Sequence, residues 1–230
     1  MQFKDFPDFL KTISAEPLYV LDPAIPKSKY VPIDLSESNE ELYKVDVSSS
    51  LRLGEFVNNH IKNHEALVAF GGYLETRNIY KRSSHFNGRA KEERNIHLGL
   101  DLWYNAKSSI YTPLDGTVYG FKNNIGYGDY GPTIILKHDL RDVKFYTLYG
   151  HLSLESIQGL EVGKFFAKGE CIGALGDAIV NGDYPPHLHF QIIKDLKGFE
   201  NDYPGVCSKK DLRFYMENCP DPRLLLKLYF

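Results

Sequence analysis

From Leu67 to about Ile193 the apolar residues of this chain come in short runs, and each run ends near glycine, proline, asparagine or aspartate. Such runs are too short for helices, which need about ten periodic residues, while the frequent turn formers let the chain reverse on itself. The texture specifies an antiparallel sheet. Candidate strands are Ser109 to Tyr111, Gly116 to Phe121, Thr133 to His138, Lys144 to Tyr149, Cys171 to Ala174 and Leu188 to Ile193, with a turn-rich interruption from Asn123 to Gly131. Before Leu67 the period changes. Asp5 to Ile13 is a short helical candidate, and Ser50 to His64 sets Leu51, Leu53, Phe56, Val57 and Ile61 at near-helical spacing. Asp221 to Lys227 reads as a closing helix with Pro222 in its first turn. The expected fold is mainly β, an antiparallel core with N-terminal helices and a short C-terminal helix. Its expected division is an N-terminal extension over residues 1–90, a core over 91–195 and a C-terminal extension over 196–230.

A chain of 230 residues can bury a substantial core. Its 27 Lys and Arg against 30 Asp and Glu leave a net charge of −3 with no basic stripe, so nucleic acid is not an expected partner. No apolar run approaches the length of a membrane span. Cys171, Cys207 and Cys219 form no Cys-x-x-Cys pair, which excludes a thiolate zinc cluster and suggests no disulfide framework. The start, Met1 to Asp8, carries acids and a proline where a secretory signal would have a basic start and a long apolar run. A cytoplasmic location is expected from that, and an extracytoplasmic one if the chain is a processed form.

Three stretches concentrate metal-binding side chains: His97-Leu98-Gly99-Leu100-Asp101, Tyr149-Gly150-His151-Leu152 and His187-Leu188-His189-Phe190. A catalytic zinc takes three imidazole or carboxylate ligands and keeps a fourth position for water, whose pKa it lowers to about 7. In His187-Leu188-His189 the two imidazoles share one strand face, with Cα atoms about 6–7 Å apart, while Leu188 and Phe190 point to the opposite, buried side. One ring can bind the metal while its neighbour stands as a base or electrophile. A solvated pair on a sheet face is the plainer alternative. His97 and Asp101 would lie about 13 Å apart on a straight strand, so the segment must bend, and Gly99 permits it. His151 follows a strand-like run and should project from the sheet rim; alone it would be an ordinary structural histidine. His60 and His64 share a helix face, but Asn58, Asn59, Lys62 and Asn63 around them point to a solvated surface. His85 and His138 have no evident partners.

In order and spacing, the three stretches resemble the lysostaphin-type, LytM-like zinc metallopeptidases, a family that cuts peptide bonds in bacterial cell walls. The resemblance spans about Asn95 to Ile193 and includes Thr112-Pro113-Leu114-Asp115-Gly116-Thr117-Val118 and Gly173-Ala174-Leu175-Gly176-Asp177. It implies a small, barrel-like antiparallel core crossed by a groove, and a bacterial source. It also implies one zinc ion per chain held by His97, Asp101 and His189, with His151 and His187 lining the open side to position water, move its proton and stabilise the oxyanion. Two departures stand out. The approach to the last motif, Ala178 to Pro186, lacks the family's usual glycine, serine and threonine richness, and Gln191 stands where an acid is common. Residues 1 to about 90 fall outside the resemblance. Gly71 to Arg77 and Arg82 to Phe86 either cross the groove or serve as plain linkers.

The expected function is zinc-dependent hydrolysis of a peptide or amide bond, in a peptide or muropeptide substrate, through metal-activated water. A noncatalytic metal-binding scaffold using the same groove is the alternative from another class. Chemistry on a nonpeptide amide or ester is a third reading, since the same nucleophile attacks either carbonyl.

Overall fold

The computed structural model describes residues 4–82 and 93–229. His85 and most of the Arg82 to Phe86 stretch lie outside the described residues. Among the described residues twelve strands form: β1 (Tyr30–Pro32), β2 (Val68–Gly71), β3 (Arg94–His97), β4 (Leu100–Trp103), β5 (Ser109–Tyr111), β6 (Gly116–Asn124), β7 (Gly131–Leu140), β8 (Val143–Gly150), β9 (Phe165–Phe166), β10 (Cys171–Ala174), β11 (His187–Ile193) and β12 (Val206–Ser208). Four α-helices accompany them among the same residues: α1 (Phe6–Thr12), α2 (Ser50–Asn63), α3 (Leu212–Asn218) and α4 (Arg223–Leu226). Eight strands make one sheet in the order β1-β2-β4-β11-β8-β7-β6-β9, while β5 pairs β10 and β3 pairs β12. All pairs are antiparallel except β1 with β2. The parallel pair arises because β1 lies before α2 in the chain, and a helical crossover returns the chain in the same direction. Among the described residues no helix is long and apolar enough to cross a membrane.

Alternation along the central strands sorts residues to two faces. Leu100 and Leu102 of β4, with Leu188, Phe190 and Ile192 of β11, join a core closed by Phe9 and Leu10 of α1 and Leu225 and Leu226 of α4. Each such full burial contributes about 1.5–3 kcal/mol. On the opposite face two smaller clusters form. Trp103 packs with Val31, Ile33, Leu53 and Val57 under α2, and Ile193 packs with Leu148, Tyr203 and Cys219. Ser49 caps α2, accepting from the Arg52 amide, and Leu53 and Val57 form its buried stripe. Between the two clusters the sheet face carries Asp101, His187 and His189.

His60 and His64 fall on the exposed side of α2; a His60 ring nitrogen bonds the Pro32 carbonyl at 2.8 Å, so that pair tethers the helix to β1. Cys171 is exposed and Cys207 and Cys219 are buried, all free.

His138 has partners that no local pattern announces. Its Nδ1–H donates to the Asp115 carbonyl at 2.7 Å, its Nε2 lies 2.7 Å from Thr147 Oγ1, and its ring stacks on Phe145. Burial lowers its pKa from 6.5 to about 4. The unfolded chain therefore binds a proton that the folded one refuses, and the fold loses stability as pH falls from about 6.5 towards about 4. The full loss is about 3 kcal/mol at 1.36 kcal/mol per pH unit. Urea unfolding of the metal-loaded protein at pH 7 and pH 4.5 should show this loss, and His138→Gln should flatten it. Equal slopes for parent and variant would refute it.

Candidate active site

The register between β4 and β11 builds the centre: Asp101 lies directly across from His189, and Trp103 across from His187. On the other side of β11, His189 faces Gly150, so the chain leaving β8 delivers His151 beside it. Between β3 and β4 the chain breaks at Leu98 and Gly99, which brings His97 back over Asp101. Gly99 also makes room for a ligand, since a Cβ there would lie 2.5 Å from His189 Cε1. The sequence suggests the bend, and a residue without Cβ also allows this close approach.

The structure brings all five sequence-predicted side chains together, each nearly fully buried. His97, Asp101 and His189 offer ligand atoms within 4.8 Å of one another. His97 Nε2 lies 2.8 Å from His189 Nδ1, and Asp101 Oδ1 lies 3.2 Å from each. What fixes these three atoms is the hydrogen bonding behind them. His97 Nδ1–H donates to the Gly72 carbonyl at 2.9 Å. Gln191 donates its amide nitrogen to the Pro204 carbonyl at 3.1 Å, which leaves its Oε1 to accept from His189 Nε2–H at 2.9 Å. Burial lowers the His97 pKa to about 4, so the ring is neutral at pH 7. Burial works against the Asp101 charge, yet its carboxyl is held well below the usual range, with the Arg77 guanidinium on Oδ2 as the cationic partner. Three lone-pair acceptors thus converge with no proton to share, which is unfavourable unless a cation sits between them. Two imidazoles and one carboxylate form a donor set that suits zinc.

His151 and His187 stand beside this set with their rings 4.2 Å apart. His151 Nδ1–H donates to the Asn181 carbonyl at 2.8 Å and His187 Nδ1–H to the Pro185 carbonyl at 2.7 Å, leaving both Nε2 lone pairs free of those bonds. His187 Nε2 is 3.9 Å from Asp101 Oδ1, and its ring stacks on Trp103. His151 adopts φ of 63°, a left-handed conformation uncommon for a residue with a side chain. Its backbone is held there by bonds to the Tyr130 carbonyl and the Gly176 amide, both at 2.9 Å. Burial pushes both imidazoles to titrate below the ordinary value, and the neighbouring His187 pushes His151 further.

Several participants escape the sequence reading. Gln191, read there as a departure, is the residue that orients His189. Arg77 reaches Asp101 Oδ2 at 2.6 Å from a stretch read as groove or linker. Tyr130 packs its ring against His151 and His189. A period-two pattern beyond the His-x-His pair could have marked Gln191, which lies on the same strand face; nothing local marks Arg77. The site opens into a cavity of about 250 Å³, one wall of which comes from Leu35, Leu42 and Tyr43 in the N-terminal region.

Residues 95–201 match the family model described as Peptidase family M23. An L-Ala–D-Glu endopeptidase of Bacillus subtilis (strain 168) is 28% identical over 119 residues, 50% of this chain and 34% of that protein. The match thus spans about a third of the relative's length. Among solved structures, the catalytic domain of the antimicrobial peptidase lysostaphin from Staphylococcus simulans is similar with a TM-score of 0.41 at 20% identity, covering 70% of this chain and 96% of that one. A zinc-containing peptidase from Vibrio cholerae is similar at 0.35 and 22%, covering 48% and 32%.

Proposed function

We propose, from the match of residues 95–201 to the model of Peptidase family M23, that this chain is a zinc-dependent endopeptidase acting on peptidoglycan-type peptides. The observation that carries the reading is the convergence of His97 Nε2, Asp101 Oδ1 and His189 Nδ1, three acceptor atoms of groups already tied outward: the two imidazoles each donate an N–H away from the centre, and the second Asp101 oxygen accepts from Arg77. These three would hold one ion. A zinc ion bound there would supply Lewis acidity for a scissile carbonyl and would acidify water at neutral pH.

The chain's own contribution is proton handling and water exclusion. His151 and His187 present neutral Nε2 atoms, each backed by a carbonyl that fixes the tautomer. One accepts a proton from water and the same pair can return it to the leaving amine. Once protonated, an imidazole at either position also stabilises a developing oxyanion. The endopeptidase relative named above motivates the substrate class. A noncatalytic scaffold is the weaker reading, because all five side chains are present and converge.

The test is incubation of the zinc-loaded protein with muropeptide and glycine-rich peptide libraries, read by mass spectrometry. Internal peptide-bond cleavage that stops with a chelator and returns with zinc is expected. A protein with full zinc occupancy that cleaves none of them would favour the scaffold.

A further inference from the structure

The family-matched stretch begins at residue 95, yet two of the three ligand side chains are held from before it. After β2 the chain from Gly72 to Arg77 runs alongside β3. The Leu74 amide donates to the His97 carbonyl, the His97 amide to the Glu75 carbonyl and the Arg77 amide to the Asn95 carbonyl, each at 2.9 Å. Gly72, at φ of 106°, turns its carbonyl onto His97 Nδ1, and a Cβ there would overlap Arg77 Nη2. Arg77 is thereby laid against Asp101: Nη1 donates to Oδ2 at 2.6 Å while Nε donates to Glu75 Oε2 at 2.8 Å. The side chains of Arg77 and Asp101 are 5% and 2% exposed, so solvent cannot substitute for this contact.

The two Asp101 oxygens consequently have different jobs. Oδ1 faces His97 and His189, and Oδ2 is occupied by the guanidinium. We propose that Arg77 is a positioning residue of the metal centre that restricts Asp101 to one-oxygen ligation, which makes the Gly71 to Arg77 segment an integral part of that centre. The inference rests on the ligand set proposed above. A carboxylate free to rotate can offer both oxygens and crowd the position that water needs. The paired arginine prevents this and offsets the carboxylate charge, leaving more of the ion's own charge on the open side.

Arg77→Lys is the decisive variant: it keeps the charge, but a single ammonium cannot reproduce the planar fork that spans Glu75 and Asp101. Zinc affinity, measured by competition with a chromophoric chelator, should fall roughly 10-fold, within the range for altered support of metal ligands. The cobalt-substituted protein should also lose visible absorption intensity, because a second carboxylate oxygen raises the coordination number. Arg77→Met should fall further, to roughly 100-fold. Thermal melts of the metal-free proteins check folding, and where Arg77→Lys does not fold, Glu75→Gln decides by the same two readouts. A folded decisive variant that binds zinc within about twofold of the parent, with an unchanged cobalt spectrum, overturns the inference. A parent protein that binds no zinc would instead refute the ligand set itself.

Discussion

Replacing Asp101 or His189 by alanine should empty the metal site of the purified protein. Structural four-ligand sites of zinc-finger peptides bind zinc with about 10–16 kcal/mol, about 2.5–4 kcal/mol per ligand, so loss of one ligand should weaken affinity on the order of 10²–10³-fold. Elemental analysis after gel filtration against a weak chelator would read this directly: about one zinc per parent chain is expected, and almost none in either variant. The two substitutions should differ in their effect on the fold. Removing the Asp101 side chain takes from the buried Arg77 one of its two carboxylate partners, and breaking a buried ion pair costs about 3–5 kcal/mol. His189→Ala removes a neutral ring and leaves Gln191 anchored to the Pro204 carbonyl, so its metal-free form should melt closer to the parent. Full zinc retention in His189→Ala would show that the ion sits elsewhere.

The part of this centre that was legible in the sequence is the part written in period two. His187 and His189 alternate with Leu188 and Phe190, and that alternation alone determines which side chains enter the core and which face the cavity. The strands β6, β7, β8 and β11 of the large sheet were legible for the same reason and extend their expected ranges at one or both ends, while the short β5 and β10 coincide with theirs because turn formers flank them closely. The short strands β1, β3, β4 and β12 have neither a long alternating run nor a distinct set of flanking turns, and α3, whose Phe214 and Met216 remain exposed, has no clear apolar stripe.

What could not be read locally are interactions set by register between distant segments. Arg77 matters because the Gly72 to Arg77 stretch runs beside β3, and Gln191 matters because Pro204 fixes its amide. His138 depends likewise on Asp115 and Thr147. Each of these residues, taken singly, has an ordinary surface or core reading. Their roles exist only once strands separated in sequence have been paired, and a lone sequence does not print that pairing.

Substituting alanine for His151 or His187 should separate chemistry from metal binding. Neither ring is among the three whose nitrogen or oxygen atoms converge, so both variants should keep zinc at parent occupancy. Turnover should fall roughly 10²–10⁴-fold in each, the range for loss of a positioned acid or base, with KM changed far less. The double variant should be little worse than the poorer single one, because residues that act as a unit lose their effect together. The two sites differ in what else they support. His187 stacks on Trp103, so His187→Ala opens a gap in the cluster under α2, whereas His151 is held in its left-handed conformation mainly through backbone bonds and the Asn181 carbonyl. His187→Gln, which restores bulk without a titratable nitrogen, distinguishes the cases. If it recovers the lost stability but not the rate, His187 acts on the substrate; if it recovers the rate as well, the imidazole serves only to fill space beside Trp103, and His151 must move the proton alone.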